Sequence, residues 1–130
     1  MKRKYLDDIG FVDRPDTYCK NDKKRMKRWK KQRKKYGFDS REMWNLDVSF
    51  YCWLYERLKY FLEYSCYDLS FHKFEFREKT YTQGEMINEI INRIEPYLKG
   101  ENSYHNVKSE REALHESALM WAEILPSMWV

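Results

Sequence analysis

Ten of the thirteen residues from Lys23 to Lys35 are lysine or arginine, and no small core can take in such a run. Burying an unpaired charge costs far more than a neighbouring apolar contact returns. The stretch KKRMKRWKKQRKK must therefore lie on the surface or against a partner. Its interruptions, Met26, Trp29 and Gln32, fall with Tyr36 within about 120° of arc at 100° per residue. The pattern is a helix with a thin apolar seam and a broad cationic face. Asn21 or Asp22 can cap its start, and Gly37 follows its last turn. Alone, its like charges repel, so it is expected to fray without something to pack on.

Charge divides the chain. Residues 1–35 hold 15 basic and 5 acidic side chains, a balance of +10, whereas residues 36–130 hold 10 basic and 16 acidic, a balance of −6. The expected organisation is a basic N-terminal arm over 1–36 and a body over 37–130. Aromatic residues make up 18% of the chain, which supplies enough apolar surface for a core despite the high charge.

The body reads as mainly α, a compact three- to four-helix unit. Asp39 or Ser40 can cap a short turn or helix. From Leu46 to about Tyr64 the chain is apolar nearly all round, with Phe50, Trp53, Leu54, Leu58 and Phe61 as the main core set. That composition suggests the central, buried helix. Alternation in FHKFEFREKTY predicts a small β-hairpin near 71–81. Thr82 and Glu85 have the spacing of a capping box. Met86, Ile87, Ile90, Ile91 and Ile94 then form one helix face, which Pro96 ends or kinks and Gly100 leaves. A last helix from about Ser109 is expected to bury Leu114, Ala118, Trp121, Ala122 and Leu125.

Catalytic constellations are scarce. The four glycines are scattered, with no phosphate-cradling or dinucleotide fingerprint, no GxSxG and no HExxH. Glu112 and His115 make one Glu-x-x-His pair, where a di-iron site needs two such pairs and further glutamates. Glu85 and Glu89 share a helix face, the usual arrangement of a wet side. Cys19, Cys52 and Cys66 are odd in number and form no CxxC, so reduced, mostly packed thiols in a cytosolic chain are expected. No apolar run approaches the ~18 residues that span a membrane, and MKRKYLDDIGF lacks the apolar region of a secretory signal. The expectation is a protein that is not an enzyme and takes no cofactor.

Four stretches carry a resemblance: GFDSREMWNLD (37–47), FYCWLYERL (50–58), YTQGEMINEII (81–91) and ALMWAEILPSMW (118–129). Together they resemble a family of small phage and prophage proteins of gut Firmicutes, over about residues 36–130. The resemblance implies a bacterial cytoplasm and a phage genome or mobile element, and it brings no catalytic residue with it. By analogy, small accessory proteins in that setting act by binding nucleic acid or host complexes, CRISPR effectors among them.

Two binding regions are therefore expected. Lys23, Lys24, Arg25, Lys27, Arg28, Trp29, Lys30, Lys31, Arg33, Lys34 and Lys35 are assigned to nucleic acid or a ribonucleoprotein. Arginine forks grip phosphate, lysines act as point charges, and Trp29 or Tyr36 either stacks on bases or packs on the body. Arg41, Glu42, Trp44, Asn45 and Asp47 are candidates for a protein contact, or else for a helix start with Trp44 as core anchor. The most concrete version is an anti-CRISPR-type inhibitor of a host defence nuclease. A plain DNA- or RNA-binding phage accessory protein is the alternative, and a small enzyme the third. An acidic protein surface, an anionic membrane and bare solvent are the other settings for the arm; its seam is too thin for stable membrane insertion.

Overall fold

The computed structural model of the protein describes residues 4–5, 23–43, 46–66, 68–100 and 107–128. Helix α1 spans Lys23–Tyr36 and is followed by a 3-10 turn, Ser40–Met43. Helix α2 spans Leu46–Tyr64. Strands β1 (Lys73–Phe76) and β2 (Lys79–Thr82) form an antiparallel hairpin. Helix α3 spans Gln83–Lys99, helix α4 spans Val107–Ile124, and a 3-10 turn covers Leu125–Ser127. The fold is mainly α with one small hairpin, as the sequence predicts.

Helix α3 organises the core. Its start is closed by the capping box: the Glu85 N–H donates to Thr82 Oγ1 at 3.2 Å, and the Thr82 N–H donates to Glu85 Oε1 at 3.1 Å. Its end is closed by Gly100 in the left-handed region, φ 67°, where a side chain would be strained. The helix continues through Pro96 rather than ending there. Met86, Ile87, Ile90 and Ile94 are fully buried, each such side chain contributing about 1.5–3 kcal/mol by leaving water. Helix α3 packs on α2, α4 and both strands. The central helix is thus α3, not the aromatic-rich α2.

Two helices turn differently from expectation. Helix α2 buries Cys52, Leu54, Tyr55, Glu56 and Leu58, leaving Leu46, Phe50 and Trp53 exposed on one stripe. With apolar residues nearly all round, its own pattern chose the inner face only weakly. Helix α4 buries Ala113, Ser117, Met120 and Ile124, one position ahead of the expected set. Leu114, Ala118 and Trp121 are half-buried, while Ala122 and Leu125 are exposed. Helix α4 packs on α3, and two of its buried positions hold the small Ala113 and Ser117. The Ser117 hydroxyl is satisfied within its own helix, donating to the Leu114 carbonyl at 2.6 Å.

The hairpin pairs Phe74 with Tyr81 and Phe76 with Lys79. Phe74, Phe76 and Tyr81 pack against the core, while Lys73, Glu75, Lys79 and Thr80 are exposed. Its two-residue turn, Arg77 and Glu78, has φ of 52° and 63°, the left-handed pair that such a turn requires. Near the end of α2, Tyr5 meets Tyr60 edge-on with ring centroids 4.7 Å apart. Its hydroxyl bonds the Glu63 carboxylate, which Lys4 Nζ also reaches at 3.0 Å. Cys52 is buried and Cys66 exposed, both free thiols; the expectation of packing holds only for the first. Cys19 lies outside the described residues.

Candidate functional site

Helix α1 forms as the cationic pattern predicts, and Gly37 closes it at φ 84° with its N–H donating to the Arg33 carbonyl at 2.9 Å. What holds the helix is a compact polar and aromatic lock. Trp29 is fully buried, with the Arg41 guanidinium 4.4 Å from its ring centroid. Arg41 in turn grips Asp39 with two bonds, Nε to Oδ1 at 3.0 Å and Nη2 to Oδ2 at 2.7 Å. Asp39 Oδ1 also accepts the Arg41 N–H at 2.9 Å, which starts the 3-10 turn as a capping carboxylate does. Arg33 Nη1 lies 3.4 Å from Asp39 Oδ2. The residue before it, Gln32, accepts the Ser40 N–H on Oε1 at 2.9 Å.

Burial raises the Asp39 pKa, but the Arg41 side-chain bonds, the Arg41 N–H and the positive charges of Arg41 and Arg33 outweigh it. The carboxyl is held below its ordinary range and stays ionised. A forked, buried Arg–Asp pair of this kind is rigid. Ser49 Oγ donates to the Glu42 carbonyl at 3.2 Å, tying the turn to the start of α2.

These contacts revise three sequence assignments. Trp29 is a packing residue, and its buried ring offers no face to a base. Arg33 is directed to Asp39 and Glu42. Arg41 is buried with Asp39 and presents no surface to a protein. Glu42 is half-buried and Asp47 exposed; Trp44 and Asn45 lie outside the described residues. The boundary drawn between residues 36 and 37 cuts through the lock, because Trp29, Gln32 and Arg33 on one side meet residues 39–42 on the other.

The rest of the cationic assignment is on the surface. Lys23, Lys24, Arg25, Lys27, Arg28, Lys30, Lys31, Lys34 and Lys35 are all exposed. Excluding Arg25, they span about 160° of arc, opposite the Trp29–Arg33 side. The helix contains no acidic residue. Its 14 residues extend over about 21 Å.

Other polar groups have structural duties. Glu85 is the capping carboxylate, and Glu89 pairs with Arg93 at 3.1 Å. Glu112 and His115 are exposed on α4. Tyr97 has its pKa pushed up to about 12, by burial first and then by the charges of Asp47 and Glu110. An open cleft of about 370 Å³ lies between the hairpin and α4, lined by Phe76, Leu119 and Ala122 with Glu75, Arg77 and Glu123 at its sides. Among the described residues, no helix is long and apolar enough to cross a membrane.

No protein-family model, curated protein or solved structure matches the chain. The reading of function therefore rests on the geometry of α1 and its surroundings.

Sequence reasoning missed the lock, although its parts were visible. Asp39 was read only as a cap, and nothing in the spacing of Trp29 and Arg41 announces a contact across a turn. It also missed the exposure of Phe38, Phe50 and Trp53. Phe50 and Trp53 stack with centroids 6.5 Å apart, Trp121 meets Trp53 edge-on, and Arg57 lies 4.7 Å over the Trp53 ring.

Proposed function

We propose that α1 binds the phosphate backbone of nucleic acid, free or within a ribonucleoprotein, and that the protein acts by binding rather than catalysis. The observation that carries this reading is the one-sidedness of the helix. Eight cations share one arc, while the opposite arc is fastened to the 39–42 turn. A helix fastened in this way meets a polyanion with less ordering cost than a free one. Nucleic acid carries a high density of charge and a counterion atmosphere that such an arc displaces.

The acidic remainder of the chain repels free nucleic acid. The tightest complex is therefore expected with a nucleoprotein whose protein component shields that charge. In the phage setting suggested by resemblance, an inhibitor of a host nuclease complex, of anti-CRISPR type, is the most concrete form of this activity.

The test is the salt dependence of binding, measured by fluorescence anisotropy on naked RNA, naked DNA and loaded nucleoprotein. If about five cations meet phosphates, log affinity should fall with log salt at a slope near −4 to −5. Replacing Lys30, Lys31, Lys34 and Lys35 by glutamine should flatten the slope by about one unit per lost contact, with little dependence on base sequence. All four are exposed, so the fold is not at stake. A slope near zero on every target would remove nucleic acid and leave an acidic protein surface as the partner of α1.

A further inference from the structure

Helix α1 ends in two aromatic rings that the fold leaves in water; Tyr36 lies on the Trp29 side of the helix, and Lys35, a member of the cationic arc, reaches its ring. Tyr36, the last residue of α1, is 58% exposed, and Phe38 is 40% exposed. Their ring centroids are 6.2 Å apart with planes tilted by 38°, and Lys35 Nζ lies 5.1 Å from the centroid of the Tyr36 ring. Neither ring belongs to the core.

Their exposure is imposed by the backbone. Gly37, between them, is fixed at φ 84° with its N–H on the Arg33 carbonyl. Asp39, directly after Phe38, is buried and gripped by Arg41. With residues 37 and 39 both fixed, Phe38 has little freedom to turn inward. Two large apolar faces are thus held in solvent at the end of a row of cations. Phosphates alone make no use of them.

Resting on the reading of α1 as a phosphate-binding helix, we propose that its ligand is single-stranded nucleic acid. The strand's phosphates lie along the lysine arc, and at least one unpaired base stacks on the Tyr36–Phe38 pair. A basic track that follows the backbone beside aromatic faces is how single strands are held without regard to sequence. In a duplex both faces of an interior base are already stacked, and the rings could meet only its ends.

The experiment compares three ligands on the full-length chain at one salt concentration: a thymidine strand of about 12 nucleotides, an abasic strand of the same length, and a matched duplex. The wild type should prefer the thymidine strand to the abasic one by about 5-fold to 100-fold. Tyr36→Ala with Phe38→Ala should abolish that preference and leave abasic and duplex affinities unchanged. Tyr36→Phe should keep it, since stacking needs the ring and not the hydroxyl. Equal binding of thymidine and abasic strands by the wild type, with a normal salt slope, would overturn the stacking proposal and leave the phosphate reading standing. Absence of salt-dependent binding to all three would overturn both. If the double variant keeps full strand preference but loses a self-associated species in sedimentation, the pair is a contact between copies and the proposal fails.

Discussion

The guanidinium of Arg41 lies 4.4 Å from the centroid of the Trp29 ring, and both side chains are buried. Among the described residues, this turn is the one element with which α1 packs. The orientation of the cationic helix thus depends on a contact between a residue of the arm and a residue assigned from sequence to a different surface. Removing the Arg41 side chain would also leave the buried Asp39 carboxylate, among the described residues, with only the residue 41 N–H and the longer Arg33 contact at 3.4 Å, a poorer match for a buried charge than the fork it loses.

Arg41→Ala is expected to weaken the docking of α1 by about 1–3 kcal/mol, while Arg41→Lys, which keeps charge but not the forked geometry, should lie between it and the wild type. Hydrogen exchange by amide is the measurement. Protection should fall in α1 and persist in α3 and α4. An unchanged α1 would mean that the lock does not hold the helix.

Acid should loosen the same lock. The Asp39 pKa in the folded chain lies below its ordinary 3.8, so the unfolded state binds the proton more readily and stability rises with pH. The contribution is complete above about pH 4 and is lost as pH falls through the lowered folded value. An acid titration followed by α1 exchange should show this loss in the wild type and not in Asp39→Asn.

A chain that starts at Gly37 should still melt cooperatively. The buried cluster runs from Cys52 to Ile124 and contains no residue of α1. Thermal melting by circular dichroism tests this, and a broad, non-cooperative transition would contradict it. The 39–43 turn loses the Trp29 ring in such a chain, so its own amides should exchange faster than in the full protein.

The hairpin turn offers a gain. Arg77 and Glu78 both sit at positive φ, where a side chain crowds the backbone by about 1–2 kcal/mol per residue. Glycine relieves that crowding but has more freedom to lose on folding, so Glu78→Gly is expected to stabilise by about 1 kcal/mol or slightly less. Arg77 is left in place because it bonds Glu116 across to α4 at 2.9 Å. Urea unfolding would register the change as a higher midpoint at constant slope.

Much of the local architecture was legible. The bounds of α2, the capping box at Thr82 and Glu85, the hairpin, and Gly37 and Gly100 as helix ends all emerged where spacing and residue type placed them. The isoleucine face of α3 was also legible, because five apolar residues at helical spacing leave only one side to bury. The cationic face of α1 could be drawn on the same grounds. Less legible was which of its members remain available: Arg33 looks like its neighbours in sequence and Trp29 could equally stack on a base, yet both are taken up by the 39–42 turn.

What the sequence determined by itself are the interactions closed within about four residues, namely caps, turn geometry and helical period, since both partners sit in one short window. Only the tertiary structure decided the inner faces of α2 and α4, the burial of Trp29 and Arg41, and the exposure of Phe38, Phe50 and Trp53. A helix that is apolar nearly all round has only a weak preference for one face, so its orientation falls to whichever neighbour packs most closely. Here that neighbour is α3. An ion pair under an indole forms only when a turn brings residues 29, 39 and 41 together, and the spacing of those residues carries no sign of it.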